Sequence, residues 1–413
     1  MFRAICLASL ALAAIAVQAR AEEFRMPKTV AEADAIERAD GLPITKFYDS
    51  PSNISAGKPG DLLRQEPGTG YQLPAGASAI RILYHSLDAQ GRDVATSAAV
   101  LVPPGNPPPK GWPIIAWAHG TSGVARACAP SAMKDVYYGP IGLFSLLEAG
   151  FAIVATDYHG LGTEGLHPYM DSIANARDVI YAVPAARAAV PSLGDRWVVD
   201  GHSQGGAAAW RVAELEATLS DHGYLGAVSV AGATHLKRLR ANPDEATSAG
   251  FYLAWIAYAV HARHAEFEPT DMLSQIALDH YGSVTNGPGC WYHGFTSYLG
   301  VDGSAMVKPG WQTNPWLGKF LDEIEIGDRP AAGPVFVIAG EGDTAVPIAG
   351  IRDSVARACK AGQTISFRSY PGLDHTPTMQ MTVTDQIDWI RGRFAEKPST
   401  NSCAALQKKP LSY

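Results

Sequence analysis

The chain has 413 residues, a hydrophobic content of 47% and a formal net charge of −7. This length fits one large α/β domain that carries an insertion. The negative charge argues against nucleic acid or an anionic membrane surface as a partner.

The N-terminus has the pattern of an export signal. Arg3 precedes an apolar run over residues 4–17, and Ala19-Arg20-Ala21 has the small-x-small form of a signal-peptidase site. The run is shorter than the ~20 residues that a membrane-spanning helix needs. We therefore predict a signal peptide (residues 1–21) that is cleaved after Ala21, and a secreted or periplasmic protein. Residues 22–75 are rich in proline, glycine and polar side chains and are predicted to form an extended N-terminal arm.

Strand and helix patterns alternate through two parts of the chain. In residues 76–232, strands are predicted at 79–86, 95–102, 113–117, 151–156, 197–200 and 228–232, with helices at 144–149 and 173–189. The alternation returns in residues 331–395, with strands at 334–339 and 364–370 and helices at 351–361 and 383–394. This pattern predicts an α/β fold with a mostly parallel central sheet flanked by helices. A polar C-terminal tail follows at 396–413.

Residues 233–330 interrupt this alternation and are predicted to form an inserted helical and loop cap. Residues 250–260 are apolar almost all round, and 281–316 is loop-like and rich in aromatic side chains. We expect the cap to cover the active site, with Trp255 and Ile256 lining a site for an acyl chain. The alternative is a core helix with ordinary packing.

Residues 197–206 carry the strongest functional motif. A β-branched strand leads into Gly201-His202-Ser203-Gln204-Gly205, and a run of alanines then begins a helix. A G-x-S-x-G pattern between a strand and a helix is typical of a nucleophile elbow, in which the serine occupies a strained turn and the flanking glycines allow close packing. The pattern predicts Ser203 as a nucleophile, with the backbone N–H of Gln204 facing the same space.

A serine nucleophile needs a base, and the base needs an acceptor that orients it. Asp343 and His375 each follow a predicted strand, and the order Ser203, Asp343, His375 is the one expected of α/β-hydrolases. Asp374 is a rival acid, but next to His375 in sequence it can hardly face the imidazole Nδ1. Asp157 is a second rival, which we interpret as a structural acid that orders the 160–165 loop.

Metal and cofactor chemistry is not expected. His261 and His264 lie on one face of a predicted helix, but no third ligand occurs at a telling spacing, and no cysteine pair has zinc-site spacing. A solvated helix end is the simpler interpretation of the two histidines. We therefore predict no metal and no cofactor.

Several motifs together resemble the secretory lipase family of α/β-hydrolases, which includes fungal lipase A enzymes and bacterial relatives. They run in order over about residues 57–380 and comprise Gly60-Asp61-Leu62-Leu63, His119-Gly120-Thr121, Cys128-Ala129-Pro130-Ser131, Asp157-Tyr158-His159-Gly160-Leu161-Gly162, the elbow, Gly342-Asp343 with Val346-Pro347, and Tyr370-Pro371-Gly372 before His375. The resemblance implies a triad at these motif positions and carboxylic ester substrates, from short-chain esters to triacylglycerols. It implies no cofactor.

The predicted reaction is a two-step acyl transfer. Ser203 attacks an ester carbonyl, His375 moves the proton, and the backbone N–H groups of Gln204 and Thr121 hold the oxyanion. The expected partners are a small-molecule or lipid ester and at most a peripheral lipid interface. Two alternatives stay open. One is a serine peptidase on the same fold; an aminopeptidase of this kind would need an acidic pair in the cap, for which Glu266 and Glu268 are poorly placed candidates. The other is a non-catalytic binding protein on a hydrolase scaffold, although such proteins normally lack a triad member and none is missing here.

Four cysteines remain after signal removal, and they permit three pairings. Cys128 follows the third strand at the sheet edge where the cap must sit, and Cys290 lies inside the cap. Cys359 is near the end of a predicted helix, and Cys403 lies in the polar tail. We predict the disulfides Cys128–Cys290 and Cys359–Cys403, and the resemblance points to the same pairs.

Overall fold

The centre of the molecule is a nine-stranded sheet with the order β1-β2-β3-β5-β4-β6-β7-β8-β9. The computed structural model describes residues 26–242, 245 and 249–408, so the predicted signal peptide lies outside the described residues. The strands are β1 (Leu62–Pro67), β2 (Ser78–Leu87), β3 (Asp93–Val102), β4 (Trp112–Ala118), β5 (Ala152–Thr156), β6 (Leu193–His202), β7 (Tyr224–Val230), β8 (Pro334–Gly340) and β9 (Thr364–Tyr370). Strands β1, β2, β3 and β5 pair antiparallel in turn, and all pairs from β5 to β9 are parallel.

Helices flank the sheet and also occur in the N-terminal arm and in the segment between β7 and β8. They are α1 (Val30–Asp40), α2 (Phe144–Glu148), α3 (Ser172–Ala189), α4 (Gln204–Leu219), α5 (Arg238–Ala241), α6 (Tyr252–Arg263), α7 (Gln275–Asn286), α8 (Trp291–Ser297), α9 (Pro315–Glu323), α10 (Ile348–Lys360), α11 (His375–Met381), α12 (Val383–Phe394) and α13 (Cys403–Lys408). Helices α3, α4 and α10 pack on one face of the sheet, and α2 and α12 pack on the other. The predicted α/β class, with a mostly parallel sheet flanked by helices, is confirmed.

The central strands are buried on both faces. In β4, Ile114, Ile115 and Ala116 are consecutive and fully buried, because a parallel strand between two helical layers has no solvent face. The carboxyl ends of these parallel strands meet at one edge of the sheet. That edge is where the loops after β4, β6, β8 and β9 collect the site described below.

The segment between β7 and β8 contains α5 to α9 and has its own apolar cluster, built around the buried residues Leu253–Val260 of α6. The loop-like interpretation of 281–316 is wrong, because the end of α7, all of α8 and the start of α9 lie there. The first turn of α8 is stabilised by a residue that is distant in the sequence. The Glu37 carboxylate accepts from the N–H of Cys290 and His293 at its first turn. Within the described part of the chain, no helix has the length and apolar character to cross a membrane.

The N-terminal arm is more regular than expected. Residues 30–40 form α1, and β1 extends the sheet by pairing with β2, so the prediction of an extended arm is wrong for these parts. Helix α1 packs on α8, and the Asp34 carboxylate lies 2.7 Å from His293 Nδ1. The arm thus connects the sheet edge to the inserted segment.

Two disulfides join distant segments. Cys128 bonds to Cys290, which ties the loop after β4 to the start of α8. Cys359, in α10, bonds to Cys403, which begins α13 rather than lying in an irregular tail. Both are the pairings that the cysteine positions predicted.

Candidate active site

Ser203 occupies a strained turn between β6 and α4. Its backbone has φ 61° and ψ −120°, a conformation that residues with a side chain rarely adopt. The Ser203 N–H donates to the carbonyl of Val230 on the neighbouring strand, which holds the turn in place. This geometry is the one that a nucleophile elbow requires.

The glycines of the motif allow the surrounding backbone to pack tightly. A Cβ atom on Gly201 would lie 2.3 Å from the carbonyl oxygen of Gly205, and one on Gly205 would lie 1.9 Å from that of Ala118. Both distances are far below van der Waals contact. A side chain at either position would therefore force the helix away from the sheet and move Ser203.

A continuous hydrogen-bond chain joins the three side chains that the motifs singled out. His375 Nε2 lies 2.8 Å from Ser203 Oγ, and His375 Nδ1 lies 2.7 Å from Asp343 Oδ2. The other carboxylate oxygen of Asp343 accepts from the N–H of Ala345 and Val346, at 2.9 and 2.8 Å. Asp343 is therefore held by its own loop with one oxygen free for the imidazole.

Asp374 points elsewhere. Its carboxylate accepts from the backbone N–H of His375 and Thr344, at 2.8 and 3.0 Å. Burial opposes ionisation of Asp374, but these hydrogen bonds outweigh it and hold its pKa below the ordinary value. Asp374 thus orders the backbone at the start of α11 and does not reach the imidazole.

The loop after β4 lies against the elbow. A Cβ atom on Gly120 would be 3.2 Å from Ser203 Cβ, so the loop passes close to the serine at the residue before Thr121. The Thr121 hydroxyl lies 3.1 Å from the hydroxyl of Tyr169. Gln204 is the first residue of α4, where an N–H has no acceptor within its own helix. The residue before Thr121 therefore approaches the elbow, and Gln204 follows Ser203 directly in the chain.

Two further histidines near Ser203 are neutral. His202 points away from Ser203 Oγ, and its ring packs on that of His375 with centroids 4.4 Å apart. Burial, together with the charge of the nearby His375, lowers the pKa of His202 well below its ordinary value. Burial also lowers the pKa of His119 to about 4. Neither ring competes with His375 as a base for Ser203.

Asp157 is structural, but it orders a different segment from the one predicted. Its carboxylate accepts from Ser97 Oγ at 2.5 Å and from the N–H of Ser131 at 2.7 Å. Burial raises its pKa to about 6. The 160–165 loop is held instead by the Arg126 side chain, which donates to the Gly162 carbonyl. The prediction that Asp157 orders this loop is therefore wrong.

The two residues expected to line an acyl site lie inside the inserted segment. Trp255 is 0% exposed and Ile256 is 4% exposed, and Trp255 Nε1 donates to the Val284 carbonyl at 2.9 Å. We therefore correct the expectation: in this structure, Trp255 and Ile256 pack the core of the segment and line no open space.

Half-buried aromatic side chains face outward from the same segment: Phe251, Tyr252, Trp291 and Phe295. The Trp291 and Phe295 rings stack at 5.6 Å, and Trp291 Nε1 donates to the Tyr252 hydroxyl at 3.0 Å. Burial and the nearby Asp343 carboxylate raise the pKa of Tyr252 to about 12, against the opposing bond from Trp291. Tyr252 is thus the member of this aromatic group whose pKa the Asp343 carboxylate affects. Sequence reasoning noted the aromatic content but not this arrangement.

No group of three or more potential metal ligands occurs among the residues described. His261 Nδ1 lies 2.7 Å from the Phe267 carbonyl, and His264 Nε2 lies 3.2 Å from Glu323 Oε2, so both rings have protein partners. Glu266 and Glu268 are exposed and lie beyond the end of α6 rather than on a helix.

Comparison with known proteins points to one family. The model of the secretory lipase family matches residues 134–402, which include Ser203, Asp343 and His375. No curated protein sequence matches the chain.

Solved structures share the fold at low sequence identity. Candida antarctica lipase A superposes with a TM-score of 0.74 at 17% identity, over 88% of this chain and 89% of that one. The rice cell wall degrading esterase LipA from Xanthomonas oryzae has a TM-score of 0.70 at 19% identity, over 83% of this chain and 100% of that one. A putative hydrolase from Legionella pneumophila has a TM-score of 0.67 at 17% identity, over 82% and 100%. The likeness confirms the α/β-hydrolase fold.

Proposed function

Because this chain belongs to the secretory lipase family and is thus an exported carboxylic ester hydrolase, we propose that it acts through a Ser203-His375-Asp343 triad and an acyl-enzyme. The observation that carries the proposal is the hydrogen-bond chain from Ser203 Oγ through both nitrogens of His375 to Asp343 Oδ2. A serine on a strained elbow, a base within 2.8 Å and a buried carboxylate behind that base are the parts that acyl transfer needs.

In the first step, Ser203 Oγ attacks the ester carbonyl carbon while His375 Nε2 takes the hydroxyl proton. Asp343 fixes the tautomer that leaves Nε2 free to accept, and it stabilises the imidazolium that forms. The C–O bond to the alcohol then breaks. His375 returns the proton to the departing alkoxide, and the acyl group stays on Ser203.

In the second step, water replaces the alcohol. His375 Nε2 removes a proton from the water molecule while the water oxygen attacks the acyl carbon. His375 then protonates Ser203 Oγ as the bond between Oγ and the acyl carbon breaks. The products are a carboxylic acid and the regenerated serine. Both steps pass through a tetrahedral oxyanion, and we assign the backbone N–H groups of Gln204 and Thr121 to hold it. Loss of one such donor typically costs about 10²–10³-fold in kcat.

The substrate is an ester whose acyl group contacts the aromatic side chains of the inserted segment. Phe251, Tyr252, Trp291 and Phe295 are half-buried and offer an apolar surface near Asp343, whereas Trp255 and Ile256 offer none. Met381, at the end of the helix that His375 begins, is 70% exposed and supports a peripheral contact with a lipid interface. Cleavage after Ala21 remains part of this proposal.

The test is hydrolysis of a p-nitrophenyl ester series, from acetate to palmitate, by purified protein. We expect Ser203→Ala and His375→Ala each to lower kcat/KM by a factor of at least about a thousand. Asp343→Asn should be severe and Asp374→Asn mild, because only Asp343 contacts the imidazole. A crippled Asp374→Asn variant beside an active Asp343→Asn variant would overturn the assignment. Aminoacyl nitroanilides in the same assay test the peptidase alternative.

A further inference from the structure

Two consecutive residues before α2 adopt left-handed backbone conformations. Val136 has φ 55° and Tyr137 has φ 65°, and neither is a glycine. For a β-branched residue such as valine this region is a true outlier, and such a backbone conformation is strained. Val136 is fully buried, so the turn is held by its surroundings. Strain that persists in a buried turn next to an active site calls for a functional explanation.

The turn directs the Tyr137 hydroxyl at the loop after β4. That hydroxyl donates to the carbonyl oxygen of Thr121, the residue whose N–H is proposed to hold the oxyanion. The N–H of Tyr137 in turn donates to Asp135 Oδ1 at 2.8 Å. This bond fixes the peptide group that follows Thr121 and so restrains the backbone on the C-terminal side of the proposed oxyanion donor.

The same turn directs the next hydroxyl at the elbow. Tyr138 Oη lies 2.7 Å from His202 Nδ1, and His202 Nε2 lies 3.2 Å from the backbone carbonyl of His375. Burial raises the pKa of Tyr138 above its ordinary value, so the phenol keeps its proton and donates a hydrogen bond to Nδ1. His202 then carries its own proton on Nε2 and donates it to the His375 carbonyl. Tyr138 thus selects the His202 tautomer that binds the catalytic loop.

Tyr138 also contacts the oxyanion loop directly. A Cβ atom on Gly120 would lie 2.2 Å from the Tyr138 hydroxyl, so the phenol occupies the space that only a glycine leaves free. The Tyr138 ring packs on Trp117 of β4 and on Tyr137, at centroid distances of 5.3 and 5.2 Å. The two tyrosines and the loop after β4 therefore form one packed unit.

We propose that Tyr137 and Tyr138 are positioning residues of the hydrolase. Tyr137 holds the proposed oxyanion loop through the Thr121 carbonyl, and Tyr138 holds the His375 loop through His202. The strained turn at residues 136–137 is what aims two adjacent hydroxyls at the two halves of the site. This inference rests on the triad proposed above and adds the supports that keep its geometry.

The first test compares Tyr137→Phe and Tyr138→Phe with a matched control, Tyr84→Phe. The Tyr84 hydroxyl is buried and bonds to Thr156 and to the Asp178 carbonyl, away from the triad. We expect each of the two proposed positioning variants to lower kcat on p-nitrophenyl butyrate about 10–100-fold, because small misplacements of reacting groups have effects of this size. KM should stay within about twofold. The control should lower the melting temperature and leave kcat within about twofold.

A transition-state analogue separates positioning from general loosening. An alkylboronic acid forms a tetrahedral adduct with a catalytic serine and places an oxygen where the oxyanion develops. Tyr137→Phe should weaken inhibition by the same factor by which it lowers kcat/KM. If all three phenylalanine variants lose kcat only in proportion to their loss of melting temperature, or if none loses kcat, the inference is wrong.

A double-mutant cycle tests whether Tyr138 acts through His202. In a His202→Phe background, Tyr138→Phe should cause little further loss of kcat, because the link to the His375 loop is already absent. Independent, multiplicative losses would refute that link. Ser203→Ala, measured alongside, keeps the two proposals apart. Full activity in the tyrosine variants beside an inactive Ser203→Ala refutes only the positioning role, whereas an active Ser203→Ala refutes the triad itself.

Discussion

A Cβ atom on Gly205 would lie 1.9 Å from the carbonyl oxygen of Ala118. Helix α4 can therefore lie this close to the end of β4 only because residue 205 is a glycine. This contact sets the position of the elbow. It couples the backbone at Ser203, the proposed nucleophile, to the start of the loop that carries Gly120 and Thr121.

We therefore predict that Gly205→Ala lowers both stability and activity. The methyl group overlaps backbone atoms that cannot rotate away, which should cost roughly 3 kcal/mol or more of unfolding free energy. Gly282→Ala is the matched control, because Gly282 lies in α7 with no neighbour within 4 Å of an added Cβ. There, alanine should stabilise the helix by up to about 1 kcal/mol and leave activity unchanged. Thermal melting measures the stability of the two variants, and ester hydrolysis measures their activity. An active, stable Gly205→Ala variant would refute the packing argument.

A second prediction concerns Asp200, which lies in β6 three residues before Ser203. It is fully buried, and among the residues described only the backbone N–H of Gly201 favours its ionised form. Burial raises its pKa to about 8. The folded state thus keeps the proton up to about pH 8, whereas the unfolded chain releases it near pH 3.9. Folding takes up one proton between these values, so this contribution to stability is lost as pH rises.

Asp200→Asn removes that proton uptake. The variant should gain stability over the natural protein as pH rises from about 5 to about 8, by up to roughly 1.4 kcal/mol per pH unit. Asp302→Asn is the control. Hydrogen bonds from Ser304 lower the pKa of the exposed Asp302 carboxyl, so it is ionised throughout this range and its replacement should have a pH-independent effect. Denaturant unfolding at several pH values measures the free energy of unfolding of each protein. A difference between Asp200→Asn and the natural protein that does not change with pH would contradict the prediction.

A third prediction separates the two disulfides. Their sequence separations of 162 and 44 residues correspond to loop-closure contributions of about 5 and about 4 kcal/mol. Replacing either pair with serine should lower the melting temperature. Only loss of Cys128–Cys290 should also lower kcat, because a Cβ atom on Gly123 would lie 2.6 Å from Cys128 Sγ, which places the disulfide against the loop after β4. Equal kcat values in the two double-serine variants would refute this difference.

A fourth prediction concerns substrate selection. Trp291 is half-buried in the outward aromatic group, whereas Trp255 is wholly inside the segment. Trp291→Ala should change the preference between short and long acyl chains with little effect on melting temperature. Trp255→Ala should lower the melting temperature and reduce activity equally on every chain length. Replacement of a buried tryptophan by alanine typically costs about 3–5 kcal/mol of unfolding free energy. The opposite pattern would restore Trp255 to the acyl site.

The parts of the fold that could be predicted from the sequence are those with a local pattern. The strands that lead to Ser203 and Asp343 show as short apolar runs, and the strand that leads to His375 shows as an alternating pattern. Parallel strands bring the loops that follow them to one edge. The structure brings the three side chains together there.

What could not be predicted depends on long-range contacts. Helix α8 was missed because Glu37, far away in the chain, completes its first turn. The Tyr138–His202 contact has no signal in either local sequence. Helix α6 is apolar on every side, so its sequence could not show which of its residues face the core. Trp255 and Ile256 were therefore assigned to the substrate, although they pack against other parts of the inserted segment.

The most direct test of the proposed mechanism is to trap the acyl-enzyme. The protein is mixed with p-nitrophenyl acetate, quenched in acid within the first turnovers and digested for peptide mass spectrometry. The account predicts an acetyl group on the peptide that contains Ser203, bound to that serine, and none in Ser203→Ala. Acetyl groups on another side chain that turn over with the substrate, or hydrolysis by Ser203→Ala at near the natural rate, would contradict it.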